Sequence, residues 1–282
     1  MTTMIIHKFI VPVVLLCLAA ATGAHAQQRP LVTEDPESIG TGRVLLEGGF
    51  EKAWDQFFPL SGVHGDVLRG PSLGVSVGIS PTAEVQIDWG VFQRVSVKDV
   101  QGAPLSAILA LTNGKGTSLE DMTVATKIRM VGETSGTPAL GVRFGTKLPT
   151  AQRTKGIGQG TTDFFASVLI GKTVRSIRTV GNVGLLMLGN PVRADVPVRA
   201  IALGVSVARA VTNAFEVVGE INGHLDPWGK SQPIGTESRA AFRLGARYTY
   251  SLLRLDTGAI VGMTPRDPGF ALTLGATYVI AP

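Results

Sequence analysis

The last segment of the chain alternates strictly, and this pattern constrains the fold more than any other feature. One parity of residues 270–280 is occupied by Phe270, Leu272, Leu274, Ala276, Tyr278 and Ile280, and the other begins with Ala271, Thr273, Gly275 and Thr277. A period of two residues is typical of a β-strand with one apolar face. A face of small and polar residues is unusual in a soluble β-sandwich, but it is normal in a membrane barrel with lipid outside and water inside.

The composition favours the same fold class. Hydrophobic residues make up 44% of the chain and charged residues 17%, which argues against disorder and against a coiled coil. After residue 26, no run of 18 or more apolar residues occurs, which argues against transmembrane helices. An apolar chain without long apolar runs fits alternating strands, with a soluble secreted β-sandwich as the alternative.

The amino terminus has the features of a secretory signal over residues 1–26. Lys8 is its only charge, residues 9–21 form an apolar core, and residues 24–26 (Ala-His-Ala) form a cleavage site. An uncleaved membrane anchor is the alternative. The single cysteine, Cys17, lies inside this signal and follows Leu16 rather than a small residue, so no lipid anchor is predicted. The mature chain would then lack disulfides and cysteine metal sites.

The same alternation predicts twelve strands, and therefore one closed antiparallel barrel over residues 42–282. A closed barrel is required in lipid because an open sheet edge would leave backbone groups without partners. The first strand must then pair with the last. The predicted strands span residues 42–54, 71–80, 83–97, 121–132, 138–148, 162–174, 178–188, 198–210, 214–224, 238–250, 253–263 and 270–280.

The predicted connections alternate in length. Short turns on one side and long loops on the other are typical of outer-membrane barrels, in which the short turns face the periplasm. Because twelve is even, both termini and the preceding segment, residues 27–41, would lie in the periplasm. The longer connections are predicted at residues 55–70, 98–120, 149–161, 189–197, 225–237 and 264–269.

Aromatic residues cluster near the predicted strand ends, as in the interfacial girdles of membrane barrels. Core aromatics of a soluble β-protein are the alternative. On the loop side the cluster comprises Trp54, Phe57, Phe58, Phe164, Trp228 and Phe270, and on the turn side Phe215, Tyr248, Tyr250 and Tyr278.

Charged residues occupy the parity opposite the apolar one. A charge that faces lipid at mid-depth costs about 2–4 kcal/mol, so these side chains must face a lumen. They either form a pore lining that selects solutes or a ladder of salt bridges that holds a narrow barrel shut, and both can hold at different depths. The set comprises Glu47, Glu51, Glu84, Asp88, Lys127, Arg129, Arg143, Lys147, Glu216, Glu220, Arg243, Arg247, Arg254 and Asp256.

The strands at 214–224 and 238–250 allow a test of register. Opposed residues of an antiparallel pair have a constant sum of residue numbers, and the pairs Glu216–Arg247 and Glu220–Arg243 share one sum. The sequence also predicts that Glu84 meets Arg129 at the periplasmic end and that Arg247 reaches Asp256 across a tight turn.

No motif predicts catalysis, a metal or a cofactor. The glycines of residues 156–160 resemble a phosphate loop but no helix follows them, so a surface loop is predicted, and residues 113–118 lack P-loop spacing. Only His64 and His224 survive cleavage, and His224 is the one candidate base, without an evident serine partner. Two distant histidines are too few for a metal site. The basic residues are dispersed, which argues against nucleic-acid binding.

One predicted loop is unusually apolar. Residues 104–111 (PLSAILAL) lie in the longest predicted connection, where a fully hydrated segment would be more polar. This stretch would form a lid at the mouth or contact an apolar solute, or it would extend the flanking strands or pack on a neighbouring loop.

Short motifs occur in order at residues 29–35, 40–42, 46–47, 120–127, 147–150, 158–163, 181–184 and 256–262. This series resembles the family of outer-membrane barrels named for the meta-pathway of phenol degradation. The resemblance implies an outer-membrane barrel that passes small molecules, including aromatic ones. One departure is the terminus Ile280-Ala281-Pro282, because such barrels usually end on an aromatic residue that the assembly machinery recognises; Tyr278 would serve instead, or assembly would be less efficient.

The sequence therefore predicts a porin-like passive channel or uptake protein in the outer membrane of a diderm bacterium. Its expected partners are outer-membrane lipid and lipopolysaccharide, the barrel assembly machinery and a small-molecule solute. A non-conducting barrel that binds or stabilises envelope components is the first alternative. An outer-membrane lipid-modifying enzyme is the second.

Overall fold

The computed structural model describes residues 29–193, 196–227 and 233–281, so the predicted signal peptide and Trp228 lie outside the described residues. No helix in this part of the chain is long and apolar enough to cross a membrane.

Two 3-10 helices, Ser106–Ile108 and Arg153–Lys155, lie in connections. The strands are β1 (Val44–Phe58), β2 (Val63–Gly78), β3 (Ala83–Gly90), β4 (Gln93–Val100), β5 (Lys115–Ser118), β6 (Met122–Val131), β7 (Ala139–Leu148), β8 (Asp163–Val174), β9 (Ile177–Leu188), β10 (Val198–Ala210), β11 (Phe215–Leu225), β12 (Arg239–Tyr250), β13 (Leu253–Gly262) and β14 (Phe270–Ile280).

The strands form one antiparallel sheet that closes on itself, because β1 pairs with both β2 and β14. β3 and β4 lie end to end along β2, and β5 and β6 lie end to end along β4 and β3. Each of these two pairs acts as a single wall strand, so the barrel has twelve strands around its wall. The predicted fold class is confirmed, including the pairing of the first strand with the last.

The predicted loop at residues 55–70 is wrong. β1 continues to Phe58 and β2 begins at Val63, so residues 59–62 alone connect them, with Gly62 at a φ of 73°. The pairing of these strands shifts between Gly49 and Glu51 and again between Ala53 and Gln56. Each shift moves the inward-facing residues to the other parity, which removes the strict alternation on which the prediction depended.

The longest connection is also shorter than predicted. Residues 98–120 were expected to form a loop, but β4 runs to Val100 and β5 occupies Lys115–Ser118. Between β4 and β5 the chain turns at Asn113 and Gly114, both with positive φ. The remaining loop, residues 101–114, contains the apolar stretch.

The two faces of the wall differ as predicted. On β14, Leu274 is 62% exposed on the outside, whereas its neighbour Thr273 is 6% exposed on the inside. The outer face carries large hydrophobic side chains, and the inner face carries the buried charges. This distribution matches a barrel surrounded by lipid.

Most of the predicted girdle residues face outward. Phe215, Tyr248, Tyr250 and Tyr278 are exposed at the turn side, and Trp54 stacks on Phe270 at the loop side with ring centroids 5.7 Å apart. Phe58 is the exception. Its side chain packs against an inward cluster of buried apolar residues, because the shifted pairing of β1 turns it toward the lumen.

Candidate functional site in the barrel lumen

Residues 29–42, called the lumen segment below, run through the interior of the barrel. This segment was expected in the periplasm, but its side chains and backbone contact inward residues on β3, β6, β7, β9, β11, β13 and β14. It then turns at Gly40 and Gly42, which have φ of 88° and 72°, and continues into β1. Positive φ is accessible to glycine without strain, so these two residues permit the turn out of the lumen.

The most deeply buried contact of the lumen segment is made by Glu34. Its carboxylate lies 2.9 Å from the Lys127 ammonium and 3.5 Å from Nε of Arg143. It also accepts a hydrogen bond of 2.9 Å from the amide of Gln86. Burial opposes ionisation of Glu34, but the charges of Lys127 and Arg143 outweigh it and lower the pKa of this carboxyl.

Lys127 also contacts a carboxylate of the wall. Its Nζ lies 3.1 Å from Oε1 of Glu84 on the neighbouring strand. Glu84 and Lys127 are fully buried, and Glu34 is nearly so. One cation therefore joins a wall carboxylate to a carboxylate of the lumen segment.

Wall carboxylates bind the backbone of the lumen segment. Glu220 accepts hydrogen bonds from the backbone N–H groups of Val32 and Thr33. Glu84 accepts one of 2.7 Å from the backbone N–H of Ile39. The lumen segment belongs to no sheet, so its buried backbone N–H groups have no strand partner. The wall carboxylates supply the acceptors that these N–H groups need.

Charged and hydroxyl side chains of the wall also hold residues 29, 35 and 37 of the lumen segment. Arg29 lies 3.5 Å from Asp256 and donates to the Thr273 hydroxyl at 3.0 Å, and Arg247 donates to the Arg29 carbonyl at 2.7 Å. Asp35 pairs with Arg178 at 2.7 Å. At the turn side, Glu37 pairs with Arg129.

The predicted register between β11 and β12 is confirmed. Glu216 lies opposite Arg247 and Glu220 lies opposite Arg243, with closest charged atoms 3.7 and 3.4 Å apart. Asp256 lies opposite Arg247 on the next strand, also as predicted.

The predicted contact between Glu84 and Arg129 is wrong. Glu84 lies opposite Lys127 in the pairing of β3 with β6. Arg129 instead reaches Glu37 of the lumen segment and the carbonyl of Pro81. Strand parity relates wall residues only to each other, so it does not predict a carboxylate such as Glu37 that comes from inside the barrel.

The other predicted lining residues also contact inward partners. Glu47 accepts a hydrogen bond from the Thr277 hydroxyl, and Glu51 pairs with Arg69. The remaining ion pairs are Asp88–Arg143 at 3.6 Å, Lys147–Asp163 at 2.6 Å and Arg254–Glu216 at 4.0 Å.

Cavities lie on both sides of the lumen segment. The cavity toward the loops has a volume of about 590 Å³ and is lined by residues that include Thr33, Arg143, Lys147 and Arg243. The cavity toward the turns has a volume of about 250 Å³ and is lined by residues that include Thr33, Arg178 and Arg254. Because Thr33 lines both, the lumen segment separates them.

The apolar stretch at residues 104–111 packs inward at the mouth. Leu105 is buried, and its N–H donates to the carbonyl of Leu60. Leu109 packs against a buried cluster formed by inward residues of five strands, and Ile157 of the glycine-rich loop packs against the same cluster. Of the predicted alternatives, packing on a neighbouring loop describes this stretch. The cluster comprises Ala53, Val63, Val67, Val95, Ile260 and Ala271.

The glycine-rich loop is held by packing. Gly156 has a φ of 79°, and a Cβ there would lie 2.9 Å from a methyl group of Val63. Its carbonyl accepts a hydrogen bond of 2.7 Å from the Ser61 hydroxyl. Close approach to β2 therefore explains this glycine without a phosphate ligand.

The histidines lie apart from each other. Nε2 of His224 lies 3.1 Å from the carbonyl oxygen of Glu237, and Nε2 of His64 lies 3.9 Å from Oδ1 of Asp55 at the outer surface. Across residues 29–193, 196–227 and 233–281, no group of three metal-ligating side chains comes together.

Several residues of the site were missed by sequence reasoning. Arg178, Gln86 and Asp163 face the lumen and hold the network together. Arg178 could have been found, because it has the inward parity of a predicted strand. The role of the lumen segment had no such signal, since residues 29–42 show no periodicity.

Comparison with solved structures gives the fold a second support. No protein-family model and no curated protein sequence matches the chain. The chain is similar to the COG4313 outer membrane channel from Pseudomonas putida F1, with a TM-score of 0.62 and 12% identity over 87% of this chain and 98% of that one. It also resembles the KdgM porin, with a TM-score of 0.50 and 7% identity over 85% and 99% of the two chains. The closed wall, the apolar outer face and these likenesses together show an outer-membrane β-barrel.

Proposed function

We propose that this protein is a passive channel for small molecules and that the lumen segment closes it. The observation that carries the proposal is the position of residues 29–42 between two cavities of one lumen. A barrel that served only as a scaffold would have no need of cavities on both sides of a removable segment.

The lumen segment can move without opening the barrel wall. None of residues 29–41 belongs to a strand, so the backbone pairing of the wall is complete without them. Most contacts of the segment described above are ion pairs and hydrogen bonds that involve side chains, which water and mobile ions can replace in a wet lumen. Leu31 and Ile39 add apolar packing against small clusters of the wall.

The wall is shaped to receive the segment. A Cβ at Gly204 would lie 2.8 Å from the Thr33 hydroxyl oxygen, and a Cβ at Gly245 would lie 2.6 Å from the Pro30 ring. Larger residues at these two inward positions would exclude the segment. This fit supports a built-in closed state.

The solute class we propose is small molecules, including aromatic or apolar ones. The motifs shared with the phenol meta-pathway barrels support this choice, as does the cavity of about 590 Å³, which accommodates a molecule of that size. The likeness to a channel and a porin supports passage rather than chemistry. We include lipopolysaccharide and the assembly machinery among the partners on the strength of the outer-membrane fold.

A non-conducting barrel is the second candidate. The extent of charge pairing favours it, because nearly every inward cation described above has a carboxylate within 4 Å. The lipid-modifying enzyme gains no support from His224, whose Nε2 faces a backbone carbonyl.

A reversible crosslink tests whether the lumen segment closes the channel. The Cβ of Thr33 lies 3.6 Å from the position that a Cβ would take at Gly204, which is within the range for a disulfide. We expect Thr33→Cys with Gly204→Cys to abolish channel openings in planar bilayers when oxidised and to regain them after reduction. Cys17 is the only native cysteine, so no other thiol competes after cleavage of the signal.

The controls separate locking from damage. Each single cysteine variant should conduct equally in both redox states, and Gly204→Cys should open at least as often as the wild type because its Cβ crowds Thr33. The pair Val180→Cys with Ser206→Cys, which lie opposite each other on β9 and β10, joins two wall strands and leaves the segment without a crosslink, so this variant should also conduct. A wild type that neither conducts nor passes solutes in liposome swelling would favour the non-conducting barrel.

A further inference from the structure

The outer face of the barrel carries a groove near the turn side. It has a volume of about 760 Å³ and is lined mainly by apolar side chains of β10, β11 and β12. Gly219 on β11 lies between Val207 and Leu244 in the pairing of the three strands. Because Gly219 has no side chain, it forms the floor of the groove and its two neighbours form the sides.

Arg209 lies at the end of the groove that is nearer to the turns. It lines the groove and lies opposite Val217, two residues along β10 from Val207. Ala208 beside it is buried in the lumen, so Arg209 faces outward. Among the described residues, Arg209 makes no ion pair and no side-chain hydrogen bond. The hydroxyl-bearing Ser176 lines the same end.

The depth of Arg209 is marked by aromatic residues. Phe215 and Tyr248 lie opposite each other on β11 and β12, and both are exposed on the outer face. Arg209 lies opposite Val217, and Val217 is two residues from Phe215 along β11. Arg209 therefore lies at nearly the same depth as the turn-side aromatic girdle. Aromatic girdles mark the level of lipid headgroups.

We propose that this groove binds a glycerophospholipid of the inner leaflet of the outer membrane. The phosphate contacts Arg209, and one acyl chain lies in the groove over Gly219 between Val207 and Leu244. An apolar groove with one unpaired cation at headgroup depth is complementary to an apolar chain that ends in a phosphate diester. The site lies on the side of the wall away from the lumen, so it does not depend on the proposed channel function.

Native mass spectrometry of the purified barrel tests the site. Delipidated protein in detergent is mixed with phosphatidylethanolamine, phosphatidylglycerol or diacylglycerol, and the lipid-bound fraction is measured. We expect both phospholipids to be retained about five-fold better than diacylglycerol, since one cation at a membrane surface contributes on the order of that factor. Arg209→Gln should remove this preference for phosphate.

Gly219→Leu should fill the groove and lower retention of all three lipids. A Cβ at Gly219 would have 3.7 Å of clearance to its nearest neighbour atom, so the variant should fold. The matched controls are Arg199→Gln, at the outward parity of the other end of β10, and Gly48→Leu, on the outer face of β1 with a clearance of 3.9 Å. Heat modifiability on gels confirms that each variant is folded.

The outcomes are decisive in both directions. Loss of retention in Arg209→Gln and Gly219→Leu, with both controls unchanged, supports the site. Equal retention of diacylglycerol and phospholipid by the wild type overturns it, as does an equal loss in the Arg199→Gln control or an unchanged Gly219→Leu variant.

Discussion

The lumen contains two networks of charge that differ in how far apart their members lie in the chain. In the first, Lys127 joins Glu84 of the wall to Glu34 of the lumen segment, and all three are almost completely shielded from solvent. In the second, Glu216 and Arg247 face each other on adjacent strands, and the Glu216 side chain is 30% exposed. We call these the Glu34 network and the β11–β12 ladder.

The two networks have different consequences for function. The β11–β12 ladder belongs largely to the wall and would persist in an open barrel. The Glu34 network exists only while the lumen segment is in place, because one of its carboxylates comes from residue 34. Fully buried ion pairs are costly to break by removing one member, whereas a cross-strand pair with a partly exposed member, such as Glu216, is worth less.

The largest effect should follow loss of the shared cation. We expect Lys127→Met to destabilise the barrel with its segment bound by about 3–5 kcal/mol, because one cation serves two buried carboxylates. Its loss would leave Glu84 without an ion pair among the described residues and Glu34 with Arg143 alone, at 3.5 Å. Urea unfolding in detergent micelles measures this loss, and bilayer recordings should show more frequent openings.

Arg243→Met is the matched control for that variant. Glu220, the partner of Arg243, would keep its hydrogen bonds from the backbone of Val32 and Thr33, so its charge would still be stabilised. A loss in this control as large as that in Lys127→Met would remove the distinction between the two networks.

A second prediction tests the assumption that both networks face away from lipid. We expect Leu274→Arg to cost about 2–4 kcal/mol and to reduce folded protein in the membrane, because Leu274 faces lipid at mid-depth. Thr273→Arg places the same charge in the lumen, where it displaces Arg29 from a hydroxyl but leaves the wall intact. Heat-modifiable protein in outer-membrane fractions should therefore be reduced far less by Thr273→Arg, and equal losses would mean that the faces are assigned wrongly.

Much of the wall was predictable from sequence because its pairing is local. Antiparallel neighbours joined by tight turns have their register fixed by the turn, as for Arg247 and Asp256 on β12 and β13. A long connection joins β11 to β12, and there the register follows from the common sum of residue numbers in Glu216–Arg247 and Glu220–Arg243. The alternation of β14 likewise predicts which residues face lipid. Both predictions rest on residues close in sequence or in one regular element.

The missed features are non-local or irregular. Glu34 contacts Lys127 across 93 residues and Val32 contacts Glu220 across 188, and nothing periodic in residues 29–42 indicates those partners. Residues 63–70 of β2 were missed because the pairing with β1 shifts near Gly49 and Ala53, which interrupts the alternation. A charge count could not reveal that the predicted pore lining also binds a segment of the same chain.

Acidification should weaken the Glu34 network. Lys127 and Arg143 outweigh the effect of burial and hold the pKa of Glu34 below its ordinary value of 4.5. The carboxylate therefore stabilises the closed barrel fully above that value, and this contribution is lost as the pH falls through the lowered pKa of the folded state. We expect channel openings to increase below about pH 4.5, and the increase should be smaller in Glu34→Gln, which has no carboxyl to protonate. Identical acid responses in the two proteins would assign the effect to other groups.

The smallest effect concerns the β11–β12 ladder. Reversing one pair, as Glu216→Arg with Arg247→Glu, should recover part of the stability lost by either single change, with a coupling of about 0.2–1 kcal/mol in a double-mutant cycle. Recovery will be incomplete, because Arg247 also donates to the Arg29 carbonyl and a glutamate cannot.

The same reversal at the neighbouring pair should behave differently. In Glu220→Arg with Arg243→Glu, the charge pair is restored, but Glu220 no longer accepts the two N–H groups of Val32 and Thr33. An arginine at position 220 has only hydrogen-bond donors, so the N–H groups of the lumen segment would face donors and lose their acceptor. We therefore expect this double variant to retain wall stability in urea while its channel opens more often than that of the Glu216–Arg247 reversal. Equal opening of the two double variants would show that the lumen segment does not depend on Glu220 for its place in the barrel.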